Sequence, residues 1–169
     1  MFRFPMLKFS RFRSPTTTTP AMVKTATPVT RKIEFIGQHK DDSIVIGNYG
    51  DAKFVAKGNF DLSGLIYCGK STVEFNIEGD GVIAFKGICR KLLIRGIHGN
   101  CTLDLSNVTS QTVWCESVKG SSVIVLGPTK TIELISLDND AIVRYEGKPV
   151  LLNYSLRGNS RIEGWKNGN

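Results

Sequence analysis

The residues able to do chemistry are few: four cysteines, two histidines and two short acidic clusters. The cysteines (Cys68, Cys89, Cys101, Cys115) include no C-x-x-C pair. The nearest approach to a metal motif is His98-Gly99-Asn100-Cys101 with Cys89 upstream. Zinc needs four ligands converging as a tetrahedron, and only three are even loosely grouped here. His39 and His98 are isolated, and no serine or cysteine sits in a nucleophile elbow that either could activate. Paired carboxylates carry glycoside hydrolysis and proton abstraction, and Asp138-Asn139-Asp140 and Glu78-Gly79-Asp80-Gly81 are the dense acidic spots. Both consist of turn-forming residues and both fall between strand-like runs. Gly79-Asp80-Gly81 is also a single copy of a calcium-loop unit that works only when repeated. On this reading no residue takes a catalytic, cofactor-binding or metal-ligating role, and no cofactor is expected.

The elements that must position any site read as short strands. Runs such as Thr72-Ile77, Val82-Lys86, Thr112-Cys115, Ser122-Leu126 and Thr131-Ile135 favour β structure. Each is closed by Gly, Asn or Asp, and the run starts advance by about 10 residues. In Thr72-Val73-Glu74-Phe75-Asn76-Ile77 the apolar side chains share one face, as they do in Thr102–Leu105 and Thr131–Leu134. No helical period of useful length appears. Even spacing favours stacked coils over a sandwich, whose loops are uneven. Gly58, Gly79, Gly99 and Gly120 recur at about one coil, and Gly127 and Gly147 are read as another corner pair. The expected fold is all-β: a right-handed parallel β-helix of about six coils of about 20 residues. Cys68 and Cys89 then stand one coil apart in the interior as small apolar free thiols, while Cys101 and Cys115 fit the register less well.

The net charge of +7 is unevenly placed. Residues 1–40 hold eight Lys/Arg against Glu34, and residues 41–169 hold fourteen of each sign. Residues 1–32 contain no acid, four of the six prolines and the run Thr16–Thr19. They are expected to form a basic, disordered arm, residues 33–166 the solenoid, and 167–169 a tail. Pro5, Lys8 and Arg11 interrupt the apolar stretch that a secretory signal requires. The Arg- and Thr-rich, acid-poor composition suits mitochondrial-type import, and the alternation of bulky apolar with basic residues suits contact with an anionic membrane surface. Cytoplasmic residence or a cell-envelope-associated complex is favoured over classical secretion. Phe2, Phe4, Phe9 and Phe12 among basic residues are a weak argument for nucleic acid, which is not expected as a partner.

The stretch Asp140-Ala141-Ile142-Val143-Arg144-Tyr145-Glu146-Gly147-Lys148-Pro149, then Leu156–Ile162, resembles the closing coils of the auto-transporter adhesin head GIN domain family. The match lies mainly in residues 139–162, with Tyr145-x-Gly147-x-Pro149 at its centre and Asn139 and Ala141 where the family has glycine. The resemblance implies a right-handed parallel β-helix with a surface or adhesion role, and brings no catalytic residues. In layout, tail plus solenoid, the chain is also similar to bactofilins, cytosolic β-helical polymers.

The expected function is therefore non-enzymatic: a structural or protein-interaction scaffold in a larger assembly, with the basic arm as tether or address. An exported adhesin-like binding module and a bactofilin-like polymer are the alternatives. Binding or self-association is expected at the coil ends or flat faces, where unpaired strand edges invite pairing. Ile33-Glu34-Phe35-Ile36 and Trp165 are the expected caps of the two ends.

Overall fold

The computed structural model describes residues 30–47 and 50–165, with the backbone alone at Trp165. The expected arm lies outside the described residues up to position 29, as does the tail. The described chain is all-β: β1 (Arg31–Ile46), β2 (Ala52–Thr109), β3 (Thr112–Gly120), β4 (Val123–Leu126), β5 (Thr131–Leu137), β6 (Ile142–Glu146), β7 (Val150–Leu152) and β8 (Arg161–Trp165). Arg31 and Lys32 thus belong to the first turn, ahead of Ile33. Every pairing among these strands is parallel, as a coil that stacks on itself requires. β2 runs continuously round several corners of the resulting β-solenoid, which has about seven turns. Beyond residue 109 each turn resolves into two ladders, β2-β3-β5-β7 and β2-β4-β6-β8.

Alternation within each run sends one set of side chains inward, where they stack on equivalent residues of the next turn. Leu92, Val113, Ile132 and Leu151 form one such column, and Leu103, Ile124, Val143 and Ile162 another. All but Leu151 and Ile162, in the last turn, are fully buried. The early turns hold aromatic residues instead. Phe35 stacks on Phe54 with ring centroids 5.7 Å apart, and Phe54, Phe75 and Phe85 meet at 5.6–5.7 Å.

The repeat length also changes along the chain. Arg31 pairs with Ala52, Lys91 with Thr112 and Thr102 with Val123, a turn of 21 residues. Thr112 pairs with Thr131, Thr131 with Val150, Val123 with Ile142 and Ile142 with Arg161, a turn of 19. No phenylalanine occurs after Phe85. The 21-residue steps from Lys91 to Thr112 and from Thr102 to Val123 already enclose aliphatic side chains, so the change to 19 comes later than the loss of the rings. The change corrects one expectation. Leu126 pairs with Tyr145, so Gly127 and Gly147, twenty apart, fall out of register with each other.

One corner is marked in every turn by a backbone of positive φ: Gly37, Gly58, Gly79, Gly99, Gly120, Asn139 and Gly158. At Gly79 (φ 136°) a Cβ would stand 1.9 Å from the carbonyl oxygen of Gly58, so this position has room for glycine alone. Asn139 takes the corner at φ 64°, in the left-handed region that asparagine tolerates. Pairing the strand-like runs, at about 20 residues per coil, predicts about six coils. The structure has about seven, since β1 begins at Arg31, ahead of the first of those runs, and closes a turn of its own.

Candidate functional site

The two acidic clusters are corners of the solenoid. In the first, Gly79 occupies the positive-φ position, Asp80 accepts the Asn100 backbone N–H at 3.0 Å, and Glu78 pairs with Lys57 at 2.9 Å. The Lys57 ammonium holds the Glu78 carboxyl below the usual carboxylate range. In the second, Asp140 accepts from the Asn159 side-chain amide at 2.9 Å, and Asp138 from the Ser136 hydroxyl at 3.1 Å. These carboxylates tie one turn to the next or close a local bend.

The histidines are not brought together. His39 has Nδ1 2.9 Å from Asp42 Oδ2 and Nε2 3.2 Å from the Ile36 carbonyl oxygen, with its ring edge-on to Phe35. It braces the bend at Asp41, a bulge with φ 60° where the register of β1 against β2 shifts by one residue. His98 lies in β2 opposite Lys119. A depression of about 630 Å³ along this corner is lined by His39, Lys40, Asn59, Asp61 and Asp80 among others. Two of its polar side chains, His39 and Asp80, are thus already engaged.

All four cysteines are buried free thiols. Burial pushes Cys89 up to about 12, helped by neighbouring Cys68, and pushes Cys115 to about 12, helped by Glu116. Cys68 and Cys101 are raised by the same desolvation. Cys68 donates to the carbonyl oxygen of Gly47, 3.2 Å away in the turn below. Contrary to the looser fit expected for them, Cys115 stacks between Ile94 and Leu134, and Cys101 lies 3.7 Å from Ser122 Oγ one turn on. A thiolate is disfavoured at all four. No group of three or more His, Cys, Asp or Glu able to hold a metal ion occurs among the described residues.

The outer wall carries ladders that sequence spacing alone did not single out. Lys53 Nζ lies 2.7 Å from Glu74, Arg95 bridges Glu74 (3.6 Å) and Glu116, so charges alternate over four successive turns. Lys91 lies 5.0 Å from the Trp114 ring centroid in the next turn, and the buried Trp114 Nε1 has no hydrogen-bond partner. Arg144 bonds Glu163 at 2.7 Å and holds that carboxyl below its usual range.

The two ends are the least covered parts of the described chain. At the first, Ile33, Phe35, Ile44 and Ile46 surround a cavity of about 450 Å³ that opens beside β1. Phe35 packs inward from the expected cap Ile33–Ile36, whereas Ile36 is 68% exposed. At the other end β7 and β8 have no partner on their outer edges among the described residues. Val150, Leu152, Tyr154 and Leu156 are 58%, 41%, 55% and 42% exposed there. The Trp165 side chain lies outside the description. Tyr145, Gly147 and Pro149 lie just before this rim. Tyr145 packs on the core from β6, and Gly147 (φ 83°) begins the turn into β7. No family model, no curated protein and no solved structure matches the chain.

Proposed function

We propose that the chain is a non-enzymatic β-solenoid scaffold that joins a larger assembly through its ends, with residues 1–32 as tether or address. The observation that carries this reading is the last turn. Four large apolar side chains within seven residues stand 41% or more exposed, beside two strand edges whose N–H and C=O groups have no described partner. An uncovered edge of this kind is a template for strand addition, and the apolar rim supplies the contact area. The ends differ in build: turns of 21 residues around aromatic rings at one, turns of 19 around aliphatic side chains at the other. That mismatch favours a discrete oligomer or complex over open-ended head-to-tail stacking, which needs congruent ends.

The test is sedimentation of the full chain over a range of concentrations, beside the variant Leu152→Lys/Tyr154→Lys. The reading expects a discrete oligomer that the variant dissociates without changing the circular dichroism spectrum. A chain that stays monomeric throughout, or whose oligomer is indifferent to these substitutions, overturns it.

A further inference from the structure

Register brings together cations that the sequence scatters. The corner opposite the positive-φ column is formed by residues 67–70, 86–91, 107–112, 127–131 and 147–150, one segment from each of five successive turns. Gln111 N–H bonds the Arg90 carbonyl, Lys130 N–H the Gln111 carbonyl and Val150 N–H the Lys130 carbonyl, which fixes the order of four of these turns. Asp51–Thr72 and Glu74–Arg95 contacts, each across 21 residues, place Lys70 one turn below Lys91. These segments hold Lys70, Lys86, Arg90, Lys91, Lys130 and Lys148 and no acid. Among the described residues none of these six cations pairs with a carboxylate. The positive-φ edge, residues 36–42, 57–61, 78–82, 98–102, 119–122, 138–141 and 157–160, has seven carboxylates against four Lys/Arg. The near-neutral solenoid is therefore polarised across its width.

Two exposed apolar side chains accompany the cations. Tyr67 (54% exposed) and Ile88 (48%) lie one turn apart, three and two residues before Lys70 and Arg90. With strands about 4.8 Å apart, five turns make a ridge about 19 Å long. Lys70, Arg90, Lys130 and Lys148 line none of the depressions described above. A row of cations accompanied by exposed apolar side chains is complementary to a negatively charged, apolar-backed surface.

We infer that this edge is a docking surface for an anionic lipid bilayer. The solenoid lies along the membrane with Lys70, Arg90, Lys130 and Lys148 over headgroups, and Tyr67 and Ile88 at the headgroup level. The acidic edge then faces away. The inference uses the side of the solenoid and is independent of assembly through its ends.

The experiment is co-sedimentation of the full chain with phosphatidylcholine vesicles, with and without phosphatidylglycerol. Each cation at such a surface is worth about fivefold in partitioning, so Arg90→Gln/Lys130→Gln weakens binding about 25-fold. Lys119→Gln/Arg157→Gln removes the same net charge from the acidic edge and leaves binding near the unmodified value, which separates the edge from the basic segment 1–32. Tyr67→Ser/Ile88→Ser also weakens vesicle binding, whereas a soluble polyanion would not register it. Should the first variant lose its circular dichroism spectrum, Lys70→Gln/Lys148→Gln takes its place. Absence of binding to anionic vesicles, or equal loss from both edges, overturns the inference. Tighter binding to oligouridylate or heparin than to the vesicles, unaffected at Tyr67 and Ile88, overturns it in favour of a soluble polyanion.

Discussion

Gly79→Ala tests the stacked corner most directly. At φ 136° the new Cβ stands 1.9 Å from the Gly58 carbonyl oxygen and 2.8 Å from its carbon. Real Cβ atoms stay at least 3.0 Å from such neighbours, so the turns must part locally by about 1 Å. That opening is about a fifth of the roughly 4.8 Å between paired strands, enough to break the flanking inter-turn hydrogen bonds. A forced backbone of this kind costs about 1–3 kcal/mol, and two lost bonds add about 1 kcal/mol each, giving about 3–5 kcal/mol. For a chain of this size that lowers Tm by roughly 6–20 °C. Gly69→Ala is the internal control, since its φ lies outside the left-handed region and a Cβ there meets nothing within 4 Å. Its effect is neutral or stabilising by up to about 1 kcal/mol. Thermal and urea unfolding of both variants beside the parent chain supplies the comparison. A cost below about 1 kcal/mol at Gly79, or an equal cost at Gly69, would refute the close approach of the turns.

Four further outcomes are expected. Native protein at pH 8 leaves all four thiols unreactive to a disulfide reagent, and unfolding releases four; prompt modification of any in the native state contradicts the packing. Because Cys89 and Cys115 are raised to about 12, the stability they confer is fully present below about pH 9 and declines as pH climbs toward 12; replacing both by Ala flattens that alkaline limb in pH-dependent melts. Glu78 and Glu163 are lowered, so their contribution is present above about pH 4.5 and lost on acidification through the folded values. Glu163→Gln accordingly lowers Tm at pH 7 by an amount that shrinks as the pH falls through the folded value, and a deficit that stays constant on acidification would exclude the Arg144 pair as its cause. A Cβ at Gly64 would lie 2.5 Å from both the Phe85 ring and the Ile44 carbonyl, so Gly64→Ala costs about 1–3 kcal/mol. Phe85→Leu recovers only part of that loss in a double-mutant cycle, because the carbonyl stays.

The parts of the fold legible in the sequence were those set by one residue and its neighbours. Alternation in Thr72–Ile77 sent Val73, Phe75 and Ile77 inward, and Gly58, Gly79, Gly99 and Gly120 marked the corners at one-turn spacing. What depends on the whole cross-section stayed hidden. Gly127 and Gly147 fall out of register because the circuit there has 19 residues, a length set by the whole turn that local propensity does not encode. Asn139 filled a glycine corner by the same backbone conformation with a different side chain. The charge balance of residues 41–169 concealed the polarity of the two edges, since a sum along the chain is blind to which residues share a side. The candidate surfaces were legible as coil ends in general, and the rim at Val150–Leu156 became specific only once the last paired strands were known.

The alternating column Lys53–Glu74–Arg95–Glu116 bears on how the chain avoids threading itself wrongly. Turns this alike offer a ready error, in which one turn is looped out and the next docks in its place. Omitting the turn that carries Glu74 would seat Arg95 on Lys53, and omitting that of Arg95 would seat Glu116 on Glu74. Like charges directly opposite on neighbouring strands are destabilising, and opposite ones favourable by up to about 1 kcal/mol per pair. Each omission also strips the flanking residues of their proper partners. The wall that looks like surface decoration thus works as a parity check: loss of either single inner turn sets like charges side by side.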